Sequence, residues 1–115
     1  MQTERRRSKR VQCLVPVRFY PEGASQAIET LTKDLGTGGL CVFSPVALPS
    51  NCHVLAEAVL GSGQTPLSFC ARTSWTQTMP FGHQFCIGLQ FDHPNEEIDR
   101  RLSVYINRLS PQPTA

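Results

Sequence analysis

The sequence predicts an all-β fold with a C-terminal helix: about six antiparallel strands in a small barrel or sandwich, the helix covering an opening or a flank. Three observations carry that prediction. Leu67, Phe69, Ala71, Thr73 and Trp75 alternate with polar residues, as do Phe85, Ile87, Leu89 and Phe91, which is the period of strands with one buried face. From Ile98 the period changes, and Ile98, Leu102, Tyr105, Ile106 and Leu109 recur at helical spacing. A length of 115 residues provides for one modest core and not for two.

Val11, Cys13, Val15, Val17 and Phe19 alternate with Gln12, Leu14, Pro16, Arg18 and Tyr20, giving a first strand in which Pro16 marks an edge position or a bulge. Pro21 and Gly23 turn the chain. A second strand over Ala27 to Lys33 leads straight into Asp34-Leu35-Gly36-Thr37-Gly38-Gly39, after which Leu40 to Phe43 resumes strand character. Pro45, Pro49, Ser50 and Asn51 punctuate a loop; Val54 to Leu60 is the next strand, closed by Gly61-Ser62-Gly63. Met79 to His83 joins the two alternating runs as a hairpin connection. The helix spans about 95–109, with Asn95 as N-cap, Glu96 and Glu97 at its positive end, and Ser110-Pro111-Gln112-Pro113 beyond it. The chain thus divides into a flexible basic arm (1–10), one barrel domain (11–109) and a short tail (110–115).

The net charge of +2 hides an uneven distribution. Arg5, Arg6, Arg7, Lys9 and Arg10 against Glu4 give the first ten residues +4, which leaves −2 on the rest. A cationic arm on a near-neutral body is the pattern of an anion-seeking segment. Five cysteines, Cys13, Cys41, Cys52, Cys70 and Cys86, form an odd set without a CxxC pair and mostly lie in apolar alternating runs, so they read as buried free thiols. No apolar stretch approaches the roughly 18 residues that span a bilayer, and none has signal-peptide character. The expected setting is a reducing cytoplasm without membrane insertion.

The chemistry concentrates at two places. An arginine fork donates parallel charge-assisted hydrogen bonds to phosphate, and also matches the O6 and N7 acceptors of guanine, so Arg6 and Arg10 suit an anionic guanine nucleotide. Gly36, Gly38 and Gly39 permit close backbone approach, although a plain strand connection uses such glycines too. The Asp34 carboxylate suits the N1 and N2 donors of guanine, and equally suits an Asx-type turn on its own backbone. His53, His83 and His93 have no cysteine at metal-ligand spacing, and neither a nucleophile elbow nor a paired acidic motif occurs. The expectation is a binding protein with no catalytic residues, no metal and no cofactor.

Arg6-Arg7-Ser8-Lys9-Arg10 ahead of the first strand, and Asp34-Leu35-Gly36-Thr37-Gly38-Gly39 after the second, resemble the RxxxR and [D/N]xSxxG signatures of the PilZ domain family. Ala71-Arg72-Thr73-Ser74-Trp75 and Gly88-Leu89-Gln90-Phe91, followed by an acidic-start helix, resemble that family's later strands and closing helix. The resemblance implies a six-stranded antiparallel PilZ-type β-barrel that binds the bacterial second messenger cyclic di-GMP and relays its level to a protein partner without a reaction. By position it assigns Arg6 and Arg10 to phosphates and guanine, Asp34 to a guanine edge, and Gly39 to the approach of the ligand, with Gly36 in the same turn and Arg5 and Arg7 adding local charge. Gly36 stands where the motif has serine; one absent hydrogen bond of about 1.5 kcal/mol weakens binding roughly tenfold. Two other readings are a PilZ-like protein-interaction module that binds no nucleotide, and a small-barrel nucleic-acid binder using the arm with Trp75 and Phe81. The second lacks a broad basic stripe, since after Arg18 only Lys33, Arg72 and the helix arginines remain.

Overall fold

Strands are the main regular element among the described residues. The computed structural model describes residues 10–80, 82–93 and 95–109. Its elements are β1 (Arg10–Gln12), β2 (Pro16–Pro21), β3 (Ile28–Gly36), β4 (Gly39–Ser44), β5 (His53–Ala58), β6 (Leu67–Thr78), β7 (Phe85–Phe91) and α1 (Glu96–Leu109). All pairings are antiparallel in the order β1-β3-β2-β5-β6-β7-β4, and β3 also pairs with β4, which closes the sheet into a barrel. Because β1 and β2 lie along successive stretches of β3, Gln12 opposite Asp34 and Pro16 opposite Leu31, the barrel has six staves.

The first alternating run is therefore one stave broken in two. Between its halves the buried Thr32 substitutes for the ladder: its hydroxyl accepts the Val15 N–H at 2.9 Å and donates to the Cys13 carbonyl at 2.6 Å. Pro16, which has no N–H, begins β2 just past the break. Val17 and Phe19 then point inward, beside Val54 and Ala56 of β5, Leu67, Phe69 and Ala71 of β6, and Ile87, Leu89 and Phe91 of β7. The helix adds Ile98, Leu102 and Ile106 to the same core. Asn95 caps it as expected, its Oδ1 accepting the Ile98 N–H at 2.9 Å, with Glu96, Glu97 and Asp99 in the first turn. Leu109, assigned to the apolar stripe, is exposed instead.

Two β-bulges alter what the alternation predicts. On β3, Thr32 pairs with Val42 but Asp34 with Cys41, so Lys33 is an extra residue. On β6, Thr73 pairs with Leu89 but Trp75 with Gly88, so Ser74 is extra. Each insertion reverses the in-out parity of the residues after it. Beyond Lys33, Leu35 enters the core while Asp34 faces outward; beyond Ser74, Trp75 leaves the inward series of Leu67, Phe69, Ala71 and Thr73 and is 44% exposed. β3 also runs on through Asp34 and Leu35 to Gly36, three residues past the expected end at Lys33.

The reading of five buried free thiols is corrected. Cys41 and Cys86, diagonal across β4 and β7 with Cα atoms 6.5 Å apart, are disulfide-bonded. Cys13 and Cys52 are half-buried free thiols, and Cys70 is an exposed one. The expectation of a reducing compartment drew in part on five free thiols, and only three of the five are free. Among the described residues, no helix is long and apolar enough to cross a membrane.

Replacing Thr32 by the isosteric Val strands the Val15 amide and the Cys13 carbonyl, and is expected to cost about 2 kcal/mol or more; a urea midpoint unchanged at constant m would exclude this role for the hydroxyl. Thiol chemistry gives a second check. Burial raises the pKa of Cys13, the Asp34 carboxylate raises it further, and the Thr32 hydrogen bond opposes them in part. Since the thiolate is the nucleophile, Cys13 labels slowly at neutral pH and faster as pH rises, whereas the exposed Cys70 labels first. Quantitative labelling of the native chain counts three thiols before reduction and five after.

Candidate functional site

The two bulges turn Asp34 and Trp75 outward on the same side of the barrel. Strand register places Gln12, Asp34, Cys41, Gly88 and Trp75 side by side across β1, β3, β4, β7 and β6. The adjacent row across β4, β7, β6 and β5 is Gly39, Gln90, Arg72 and His53. Over these rows lies an open cleft of about 380 Å³, lined by Arg10, Asp34, Gly38, Gly39, Leu40, Ser74, Trp75, Gly88, Leu89 and Gln90.

Arg10 begins β1 directly opposite Gly36, and its guanidinium reaches the carboxylate two positions back on β3. Nη2 donates to Asp34 Oδ1 at 2.5 Å and Nε donates to the same oxygen at 3.2 Å. Both bonds use one carboxylate oxygen, so among the described residues Oδ2 and the Arg10 Nη1 group have no hydrogen-bond partner. The pair is solvated, with side chains 46% and 21% exposed, so it contributes at most about 1 kcal/mol and exchanges readily for better partners.

The floor is made of absent side chains. A Cβ at Gly39 would collide with the Leu89 carbonyl oxygen and lie 3.1 Å from Gln90 Cα, so close packing of β4 on β7 dictates this glycine. Gly39 was expected to admit a ligand, and the barrel itself needs it. At Gly88 a Cβ would meet the Trp75 indole, which occupies that space and stands as a wall of the cleft.

Of the residues singled out in the sequence, Arg10, Asp34 and Gly39 come together here. Gly36 is buried opposite Arg10 in the β1–β3 ladder and does not line the cleft. Arg5, Arg6 and Arg7 lie outside the described residues. Ser74, Gly88 and Gln90 were missed as site residues, and Trp75 was named only as an exposed aromatic of the nucleic-acid reading. Strict alternation put Trp75, the sole tryptophan, on the inward face of its strand, at odds with its use as a surface aromatic in that reading, and the bulge at Ser74 decides for the surface.

A closed antiparallel barrel bearing an arginine, a carboxylate and an indole around a shallow glycine-floored cleft has the makings of a ligand-binding domain. The chain belongs to the PilZ domain family, whose family model matches residues 4–108. No curated protein sequence matches the chain. Among solved structures, the Bacillus subtilis inhibitor of motility MotI/DgrA superposes with a TM-score of 0.77 at 17% identity, over 94% of this chain and 53% of that one. The chain therefore spans about half the length of that relative. The PilZ domain of YcgR from Escherichia coli, solved with c-di-GMP, gives 0.71 at 17% identity over 91% of both chains. The MrkH–c-di-GMP complex from K. pneumonia gives 0.61 at 12% identity, over 90% of this chain and 52% of the other. These likenesses agree on the six-stranded antiparallel barrel with its C-terminal helix.

Gly39→Ala forces β4 and β7 apart and is expected to cost about 2 kcal/mol or more by overpacking against backbone. Thermal unfolding within about 1 °C of wild type would show that the strands tolerate a side chain there.

Proposed function

We propose that this chain binds cyclic di-GMP in the Arg10–Asp34–Trp75 cleft and relays its level to a protein partner through ordering of the N-terminal arm. The observation that carries the reading is the meeting of Arg10 and Asp34. One residue from each of two motifs, 24 positions apart, forms a single ion pair at the edge of one cleft. Membership of the PilZ family, and the c-di-GMP in the related YcgR structure, support the choice of ligand.

The chemistry rests on the open valences. Arg10, exchanging Asp34 for a phosphodiester, gains a charge-assisted contact of roughly twice neutral strength, and the released Asp34 carboxylate accepts from the guanine N1 and N2 donors, one on each oxygen. Arg6, four residues earlier, meets the second phosphate or a guanine edge, with Arg5 and Arg7 adding field. Trp75 offers an indole face to a base; base–aromatic stacking is worth about 1–3 kcal/mol. Ordering the arm costs about 1–2 kcal/mol per residue, which these contacts offset, and the ordered arm is the surface a partner reads. Each part is binding chemistry; nothing in the proposal calls for a catalytic residue.

Calorimetric titration with cyclic di-GMP, with GTP and cyclic di-AMP as controls, tests the reading. Saturable heat with cyclic di-GMP alone is expected, accompanied by a change in Trp75 emission. Silence in both signals at high ligand concentration would leave the nucleotide-independent interaction module in its place. Arg6→Ala and Arg10→Ala are each expected to cost about 2 kcal/mol, Arg108→Ala almost nothing, and Gly36→Ser to tighten binding by adding a hydroxyl beside Arg10. New amide protection over residues 4–11 at saturation is the signature of the relay; unchanged exchange with demonstrated binding would retain the receptor and discard the switch.

A further inference from the structure

The described chain has seven lysines and arginines: Arg10, Arg18, Lys33, Arg72, Arg100, Arg101 and Arg108. Arg10, Arg18 and Arg72 are matched to Asp34, Glu29 and Asp92 at 2.5, 3.1 and 3.1 Å. Arg100, Arg101 and Arg108 have no carboxylate within ion-pair distance among the described residues. All three line one groove of about 750 Å³ between α1 and the β5–β6 loop, in which Glu97 is the sole acid among the described residues. The other first-turn acids of α1, Glu96 and Asp99, lie outside it.

Its walls are fixed by one of these cations. Arg101 reaches from the helix to the loop, where Nη2 donates to the Thr65 carbonyl at 2.5 Å. A backbone carbonyl leaves the guanidinium charge uncompensated. Between the cations the lining is mixed: polar Gln64, Thr65 and Ser68 alternate with an apolar strip of Pro66, the half-buried Tyr105, and Val104, which is 45% exposed. Guanidinium groups with no carboxylate partner among the described residues, set beside an apolar strip, complement a segment that carries both carboxylates and apolar residues.

We infer that this groove docks an acidic, amphipathic segment of a partner protein, its carboxylates on Arg100, Arg101 and Arg108 and its apolar side chains on Val104, Tyr105 and Pro66. Three cations along one groove match a few carboxylates and fall short of the long basic track a nucleic-acid polymer engages. The groove shares no lining residue with the Arg10–Asp34 cleft, so the docking site stands whether or not the cleft takes a nucleotide.

The test uses the full chain without nucleotide and a fluorescein-labelled peptide of alternating glutamate and leucine. A control peptide has glutamine for glutamate, and a labelled single-stranded oligonucleotide is run in parallel. Saturable anisotropy with the acidic peptide is expected, weakening as salt shortens the screening length to a few Å, with amide shifts confined to 61–68 and α1. The R100E/R108E variant changes two exposed residues and is expected to keep the wild-type unfolding temperature while losing roughly tenfold or more in affinity. Absence of acidic-peptide binding, equal binding of the glutamine peptide, tighter binding of the oligonucleotide, or full affinity in the folded double variant would each overturn the assignment.

Discussion

A β-strand presents successive side chains to opposite faces, and the whole site depends on two places where that alternation is broken. Without Lys33 as an extra residue, the parity that buries Thr32 would also bury Asp34 and put Leu35 in water. An unpaired carboxylate in this apolar core would carry a desolvation penalty of several kcal/mol, so a sequence with this spacing needs the bulge. Ser74 does the same for Trp75, whose indole would otherwise compete for space with the inward Thr73 and Leu89. The two insertions sit on strands that are not neighbours, yet they turn their side chains onto one lateral row because β4 and β7 lie between them in unbroken register from Gly39–Gln90 to Ser44–Phe85. The rigid middle of the barrel aligns what the bulges expose.

Much of this architecture was legible in the sequence. Strict alternation located β6 and β7, and the shift to helical spacing located α1 with its Asn95 cap. The two basic and glycine-rich motifs pointed to Arg10 and Asp34, which the fold brings into contact. What was not legible has a common cause. A bulge adds one residue without changing the composition around it, so Trp75 continued the written alternation while the chain had already changed parity. The split of the first stave at Cys13–Val15 was equally hidden, since it depends on a threonine seventeen positions away from Val15. The Cys41–Cys86 pairing required knowing that β4 and β7 are adjacent, a fact of topology that spacing does not encode.

Glycine carries two meanings at this site, and the structure separates them. Gly39 and Gly88 both lack a side chain for reasons of packing: one lets two backbones approach, the other makes room for an indole. Gly36 is placed differently. It stands two positions beyond Asp34 on β3, hence with the same parity as the carboxylate, and directly across from Arg10. A side chain added there would be directed to the face that carries the ion pair and away from the core that takes Leu35. The departure from the family motif thus falls where a hydroxyl would stand beside the guanidinium, on the outer face of the barrel and away from its interior.

The position of β1 gives the fold a route from the cleft to the helix. This strand is three residues long, holds an outer edge of β3, and contacts α1 as well as the cleft. Arg10 at its start reaches Asp34, and Cys13 just past its end lies close enough to Tyr105 of α1 for its charge to raise the phenol pKa, after burial, the larger cause. A segment held by so few pairs has little cooperative stability of its own, and its occupancy responds to any partner that prefers the paired state. An anion that replaces Asp34 on Arg10 changes the balance at one end of β1; Tyr105, which also lines the groove bearing Arg101 and Arg108, sits at the other. The proposed ligand site and the proposed docking groove share no residue, and the short strand between them is the element through which either would bias the other.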